Sequence, residues 1–284
     1  MALDSISFIG GGIMCEAMIK GLLSKRLVRS NAITVAEPRK ERREELRRNH
    51  GIATTSDNKQ AVRSAKIIVL AVKPQDFTRA TTGLKGVFES DQLILSIVAG
   101  ARISSITHLL RHNAVVRVMP NTPAQIGEGI SVWTATNGVN QDQLNQTRRI
   151  LQAFGKELYM DEEKYLDMAT AVSGTGPTYV FLVMEAMVDA AVHLGFPRHV
   201  AYELVTETIR GSIIFAMKSS KHPAELRNMV TSPGGTSAEA LYQLEKGSLR
   251  TVLSKAIWAA YERSRSLGNE NETWRPDSQQ LAQD

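Results

Sequence analysis

Two short stretches carry residues whose types and spacing could do chemistry. The first, residues 6–18, reads Ile-Ser-Phe-Ile-Gly-Gly-Gly-Ile-Met-Cys-Glu-Ala-Met. An apolar run ends at Ile9, three glycines follow, and a helical pattern opens with Met14, Met18, Leu22 and Leu23. A strand, a tight turn and a helix start in that order can hold a pyrophosphate. Gly10 allows the turn, and Gly12 lets backbone approach an anion lying on the helix N-terminus. Cys15 stands where the dinucleotide fingerprint has Gly or Ala, and is small enough for close helix–strand packing. The second stretch, residues 232–237, reads Ser-Pro-Gly-Gly-Thr-Ser. It either caps a helix with a hydroxyl or presents free backbone N–H groups to an anion.

Other candidates are weaker. Ser173-Gly-Thr-Gly-Pro reads either as a helix start or as a hinge that lets backbone approach a substrate. His108 and His112 stand four apart, the spacing of two zinc ligands on a helix. No acid lies between them and no third ligand suggests itself, so the pattern predicts a surface helix and no metal site. Lys73 ends an apolar run before Pro74, which suits a structural or cofactor-side role better than a Schiff base. Cys15 sits at a helix N-terminus, where thiolates are stabilised, but packing against the glycine turn accounts for it more simply.

The elements that must position these residues alternate through the first half. Residues 32–36 read as a second strand, ending at Glu37-Pro38-Arg39. In dinucleotide folds this strand end meets the adenosine ribose, where an acid favours the free 2′-hydroxyl of NAD and an arginine the 2′-phosphate of NADP. Glu37 and Arg39 therefore point in opposite directions. A charged helix to about Asn49 stops at Gly51, and Asp57-Asn58 caps the next one. Residues 66–72, 93–98 and 115–119 are apolar runs of the kind that form strands covered on both faces. The class is α/β, with a parallel sheet and right-handed crossovers. Strand-like runs at 130–135 and 157–160 flank a helix at 141–153 and close a first domain, 1–161.

From residue 162 the strand signal disappears. Helical patterns cover about 164–172, 179–194, 198–217, 238–246 and 249–267, predicting an all-helical second domain, 162–268. Residues 269–284 are polar and patternless, and a disordered tail is expected. The helix after Pro177 carries Val180, Phe181, Val183, Met184, Met187, Val188, Ala190, Ala191 and Leu194. A helix apolar over most of its circumference is buried on several sides, which predicts a second copy of the chain around it, the alternative being a core helix of a monomer.

Composition narrows the setting. The 284 residues suffice for two cores, and no apolar run reaches membrane-spanning length. The single cysteine and a start that leads straight into the first strand predict a cytoplasmic protein without a signal peptide. The arginines between Arg39 and Arg48 are interleaved with Glu41, Glu44 and Glu45, which reads as a solvated helix face. Neither nucleic acid nor membrane is expected as a partner, and the net charge of +5 suggests anionic partners at most.

With Leu-Ala-Val-Lys-Pro at 70–74, Met-Pro-Asn-Thr-Pro at 119–123, Ser-Gly-Thr-Gly-Pro at 173–177 and Ser-Pro-Gly-Gly-Thr-Ser at 232–237, the chain resembles the pyrroline-5-carboxylate reductases over residues 6–267. The resemblance implies an N-terminal Rossmann-type dinucleotide-binding domain and a C-terminal all-α dimerisation domain. It implies reduction of 1-pyrroline-5-carboxylate to L-proline, the last step of proline biosynthesis, with NADPH (NADH possible) as hydride donor. It also implies a homodimer, with a decamer built as a pentamer of dimers as a further assembly.

Carried over by position, the resemblance puts cofactor phosphates at Gly10, Gly12, Ile13 and Met14, and the adenosine end at Glu37, Arg39 and Asn58. Ala71, Val72, Lys73, Pro74, Ala99, Asn121 and Thr122 approach the nicotinamide side. Substrate meets Ser232, Gly234, Gly235, Thr236 and Thr175, with Ser237 as the catalytic hydroxyl and no metal. The chain departs from the usual pattern at Thr175 (usually Ser), at Ser237 (usually Thr) and at Ser220 (Glu in some members). The first two keep the hydroxyl. A β-hydroxyacid dehydrogenase would need a Lys and an Asn where Val180 and Met184 stand, and neither of these does proton chemistry. A non-catalytic dinucleotide-binding regulator is the alternative of a different class.

Overall fold

Strand β1 (Ile6–Ile9) is buried at every position, as the centre of a sheet covered on both faces must be. The computed structural model describes residues 3–272, with side chains to residue 268. After β1 come α1 (Ile13–Ser24), β2 (Ile33–Ala36), α2 (Lys40–His50), β3 (Ala53–Thr55), α3 (Asn58–Arg63) and β4 (Ile67–Leu70). Then follow α4 (Phe77–Thr81), β5 (Leu93–Ser96), α5 (Ile103–Leu110), β6 (Val115–Met119), β7 (Gly129–Ala135), α6 (Gln141–Gln152) and β8 (Gly155–Tyr159). The sheet order is β3-β2-β1-β4-β5-β6-β7-β8. Neighbours from β3 to β6 pair in parallel, β7 pairs antiparallel to β6, and β8 runs parallel to β7. The first six strands thus have the doubly wound order of a dinucleotide-binding fold. The parallel sheet expected from the alternation ends at β6, because the connection to β7 is too short for a crossover helix.

Side chains alternate across the sheet and build a core on each face. Phe8, Val35, Val69, Leu95 and Val116 enter one apolar cluster. Ile9, Ile68, Leu70, Ile94 and Val115 enter the other. Asp57 caps α3 by accepting from the Lys59 amide at 2.8 Å, and Gly51 closes α2. His112 lies beyond the end of α5, buried, with Nε2 2.6 Å from the Gln92 carbonyl. The surface-helix expectation for the two histidines therefore fails at His112, since Arg111 turns the chain out of the helix between them. Among the described residues no cluster of three metal-ligating side chains occurs.

The helical part comprises α7 (Lys164–Ala169), a single π-helical turn (Thr170–Gly174), α8 (Gly176–His193), α9 (Arg198–Lys218), α10 (Pro223–Met229), α11 (Thr236–Lys246) and α12 (Leu249–Glu272). By contacts the chain forms two compact units, one of residues up to 175 with those from 260, the other of 176–259. Strands cease after β8, the change that the sequence registers near Asp161, while α7 and the π turn are helical yet pack within the first unit. Helix α12 continues to Glu272, and the rest of the expected tail, from 273, lies outside the described residues.

Inside the first unit Arg117 sits on β6 with its side chain only 4% exposed. It pairs with Glu163 at 2.8 Å and Asp167 at 3.1 Å, and Asp167 also accepts from the buried Ser264 hydroxyl at 3.0 Å. A buried guanidinium needs such partners, and here they tie α7 and the end of α12 to the sheet.

Candidate active site

The glycine turn is shaped by what surrounds each glycine. Gly10 has φ +101°, and a Cβ there would lie 2.8 Å from the Ala71 carbonyl oxygen and from Val72. Only glycine fits. Gly11 donates its amide proton to Glu37 at 3.0 Å, and its carbonyl accepts from Arg42 Nε at 2.7 Å. Around a Cβ on Gly12 nothing would lie within 4 Å. Gly12 is also the N-cap of α1, with no side-chain acceptor on the helix start. Free backbone N–H groups and the positive end of the helix dipole are thus left for an anion.

A crevice of about 630 Å³ opens beyond the carboxyl ends of β1, β2 and β4. Eight expected residues line it: Gly10 and Gly12 from the turn, Glu37 and Arg39 from the end of β2, Asn58 from α3, and Ala71, Val72 and Lys73 from the end of β4. Asn58 uses its amide nitrogen on the Ala80 carbonyl at 2.9 Å, which leaves its side-chain oxygen as an acceptor. Gln75, Asp76 and Arg79 also line the crevice and were not anticipated, because nothing in the sequence shows the short turns after Lys73 folding back over the strand ends.

Six of the expected cofactor residues stand outside that lining. Ile13 and Met14 open α1, with Ile13 66% exposed. Pro74 begins a 3₁₀ turn, Pro74–Asp76. Ala99 follows β5, and Asn121 and Thr122 follow β6, so all three lie at carboxyl ends of strands. Asn121 braces its neighbourhood, donating to the Ser173 carbonyl at 3.2 Å and accepting from the Ile130 amide at 2.9 Å.

Charge in the crevice is organised around Glu37, which is 5% exposed. Burial raises its pKa. Hydrogen bonds from the Arg39 side chain and from the amides of Arg39 and Gly11 outweigh that and hold it below the usual carboxylate range. Behind the turn, burial likewise opposes ionisation of Glu16. Arg42 at 2.6 Å and His50 at 2.9 Å prevail and hold its pKa at about 2. Burial pushes the Cys15 thiol far up, so despite its helix position it is a packing residue.

In the second unit the 232–237 turn is also set by glycines. Gly234 has φ +67°, and a Cβ on Gly235 would meet Ser232 Oγ at 2.5 Å. The N-cap of α11 is Gly235, with no side-chain cap, so the hydroxyl-capping reading does not hold. Thr236 and Ser237 fall in the first turn of α11. Thr175, at the end of the first unit, donates both its amide and its hydroxyl to the Thr170 carbonyl, at 2.8 and 2.9 Å, and closes the π turn.

Residues 163–267 match the family model for pyrroline-5-carboxylate reductase dimerisation, and residues 5–100 the one for NADP oxidoreductase, coenzyme F420-dependent. The pyrroline-5-carboxylate reductase of Synechocystis is 36% identical over 263 residues, covering 93% of this chain and 98% of that protein. The chain belongs to the pyrroline-5-carboxylate reductase family. The reductase of Pseudomonas aeruginosa is 37% identical over 271 residues, covering 95% of this chain and 99% of its own. The solved Plasmodium falciparum pyrroline carboxylate reductase, with NADP bound, superposes with a TM-score of 0.86 at 32% identity, covering 94% of this chain and 99% of its own. This reductase is accordingly an NAD(P)H-dependent oxidoreductase of the last step of proline biosynthesis, and a homo-oligomer. Its glycine turn and crevice fit the dinucleotide that such a reaction requires.

Proposed function

We propose that the crevice beside β1, β2 and β4 holds the dinucleotide and that the 232–237 turn takes the substrate of pyrroline-5-carboxylate reduction. The observation that carries this reading is the start of α1, where Gly12 leaves both space and unanswered N–H groups for a pyrophosphate. When bound, the reduced nicotinamide supplies the hydride. The chain's own task is mostly orientation. Ile13 and Met14 add first-turn amides to the phosphate site, and Glu37, Arg39 and Asn58 meet the adenosine end. Ala71 to Pro74, Ala99, Asn121 and Thr122 form the strand-end ledge on the nicotinamide side.

The start of α11 repeats the anion-binding arrangement for the substrate carboxylate, with Ser232, Gly234, Gly235 and Thr236 forming its rim. Ser237 donates a hydrogen bond to the ring nitrogen as that atom becomes an amine. Assistance of this kind is worth on the order of 10²–10⁴ in rate. Thr175 keeps acceptor capacity on its hydroxyl, which suits a substrate-side role.

The homo-oligomer is built on a homodimer, through the apolar faces of α8 and α9, and dimers associate further into a decamer. Phe181, Leu182, Ile213 and Phe215 are each more than half exposed in the single chain, which supports that reading. No helix among the described residues is long and apolar enough to cross a membrane. We place the protein in the cytoplasm, with neither nucleic acid nor membrane as partner. Purified protein given pyrroline-5-carboxylate should oxidise NADH or NADPH, followed by absorbance. A folded sample that turns over with neither would overturn the reading.

A further inference from the structure

We infer that Glu37 sets the adenosine ribose site of this reductase to read a free 2′-hydroxyl, so that NADH is preferred over NADPH. The inference rests on the crevice being the dinucleotide site. Glu37 is the first residue beyond β2 and lines the crevice with its side chain 6% exposed. One carboxylate oxygen takes both the Arg39 amide at 3.1 Å and Arg39 Nε at 2.8 Å, which fills its two lone pairs. The other takes only the Gly11 amide, at 3.0 Å. One acceptor site therefore remains, of the kind that suits a ribose hydroxyl donor and has nothing to offer a phosphate.

The nearby cations do not reverse this. Arg39 already gives its Nε to Glu37 at 2.8 Å. Arg43 donates to the carbonyls of Glu37 and Pro38, at 2.7 Å each. Arg79 is paired with Asp76 at 2.7 Å. Lys73 lies on the β4 side of the crevice. A 2′-phosphate carries roughly −1.5 to −2 charges at pH 7 and would stand against a carboxylate that cannot swing away, because it is fixed by three N–H donors. The same anchoring to Gly11 makes ribose reading and phosphate binding one unit.

The wild-type protein tests this directly. Intrinsic-fluorescence titration with ADP and with 2′,5′-ADP needs no turnover, and ADP should bind tighter by about tenfold or more, the scale of one partly screened charge–charge contact. kcat/KM for NADH should exceed that for NADPH by a similar factor. Glu37→Gln and Glu37→Ser should each raise the NADPH/NADH ratio of kcat/KM by about tenfold. Adding Arg39→Ala to either variant should erase that gain, because Arg39 released from Glu37 is then the phosphate's partner. Equal binding of the two nucleotides, or a ratio that stays put in folded variants, overturns the inference while leaving the reductase reading intact. Absence of turnover with either cofactor sinks that reading instead, and the nucleotide titration still decides this one.

Discussion

The Gly11 amide lies 3.0 Å from a Glu37 carboxylate oxygen, so the glycine turn and the end of β2 form one hydrogen-bonded piece. Arg42 holds the other side of Gly11, gripping its carbonyl at 2.7 Å while reaching Glu16 in the first turn of α1 at 2.6 Å. A loop braced on both faces before its ligand arrives loses little freedom on binding, which is what preorganisation contributes to affinity.

Gly10 and Gly12 should therefore behave differently when each becomes alanine. Gly10→Ala forces a Cβ onto the Ala71 carbonyl at a positive φ and should cost about 2–4 kcal/mol in urea denaturation. Gly12→Ala has room for its methyl and should leave stability within about 0.5 kcal/mol, yet weaken nucleotide binding clearly in a titration. If Gly12→Ala binds nucleotide normally, the open space at that position is not reserved for the cofactor.

Ser237→Ala isolates chemistry from folding. The helix start is capped by Gly235 without any side chain, so the alanine should not destabilise α11. kcat/KM for the imine should nonetheless fall by about tenfold or more. An unchanged value would remove Ser237 from the mechanism.

Acid sensitivity should be traceable to Glu16. Its folded pKa, about 2, lies below the value of about 4.3 expected in the unfolded chain. The stabilisation is thus present above that unfolded value and drains away as pH falls toward 2. Glu16→Gln should cost on the order of 2–3 kcal/mol at pH 7, and the gap to wild type should narrow between about pH 5 and pH 2 in urea titrations. A pH-independent gap would mean that the carboxylate's charge is not what holds the turn.

Arg117→Ala leaves two carboxylates facing a vacated interior site. Unfolding stability should drop by about 3–5 kcal/mol, with Arg117→Ala plus Asp167→Asn recovering part of the loss. If the single variant is as stable as wild type, the ion pairs are idle.

Cys15 should resist iodoacetamide in the native protein and react only on unfolding, because the thiol is fully buried and its pKa pushed up. Rapid native alkylation, read by mass, would show the turn opening on its own.

Much of the sheet could be read in the chain because buried strands leave continuous apolar runs, as at residues 67–70 and 93–96. Strand β3 could not, since Ala53–Thr55 is three residues long with no apolar run, and α10 is too short to show periodicity. Gly10, Gly12, Glu37, Arg39 and Lys73 stand at strand ends that mark themselves with Gly, Pro or a charge. Asn58, Ala71 and Val72, which line the same crevice, were expected only from the family resemblance. Arg117 offered a signal that went unused: an arginine inside an apolar strand must be paired or exposed. Arg42 offered none, for nothing distinguishes it among the neighbouring arginines, and only the packing of α2 brings it to Gly11. Of the two readings open for residues 232–237, hydroxyl capping fails because the chain uses glycine at the N-cap of α11.

The helical unit, for its part, buries little on its own: Val188, Ala201 and Val205 form its only interior cluster among the described residues, while large apolar side chains line much of its outside. A freshly synthesised chain is thus a sticky intermediate until it meets another. Its lifetime in that condition scales inversely with expression level, so scarcity alone should invite proteolysis or chaperone capture. Activity should accordingly depend on how much of the polypeptide is made, and not only on how well each copy folds.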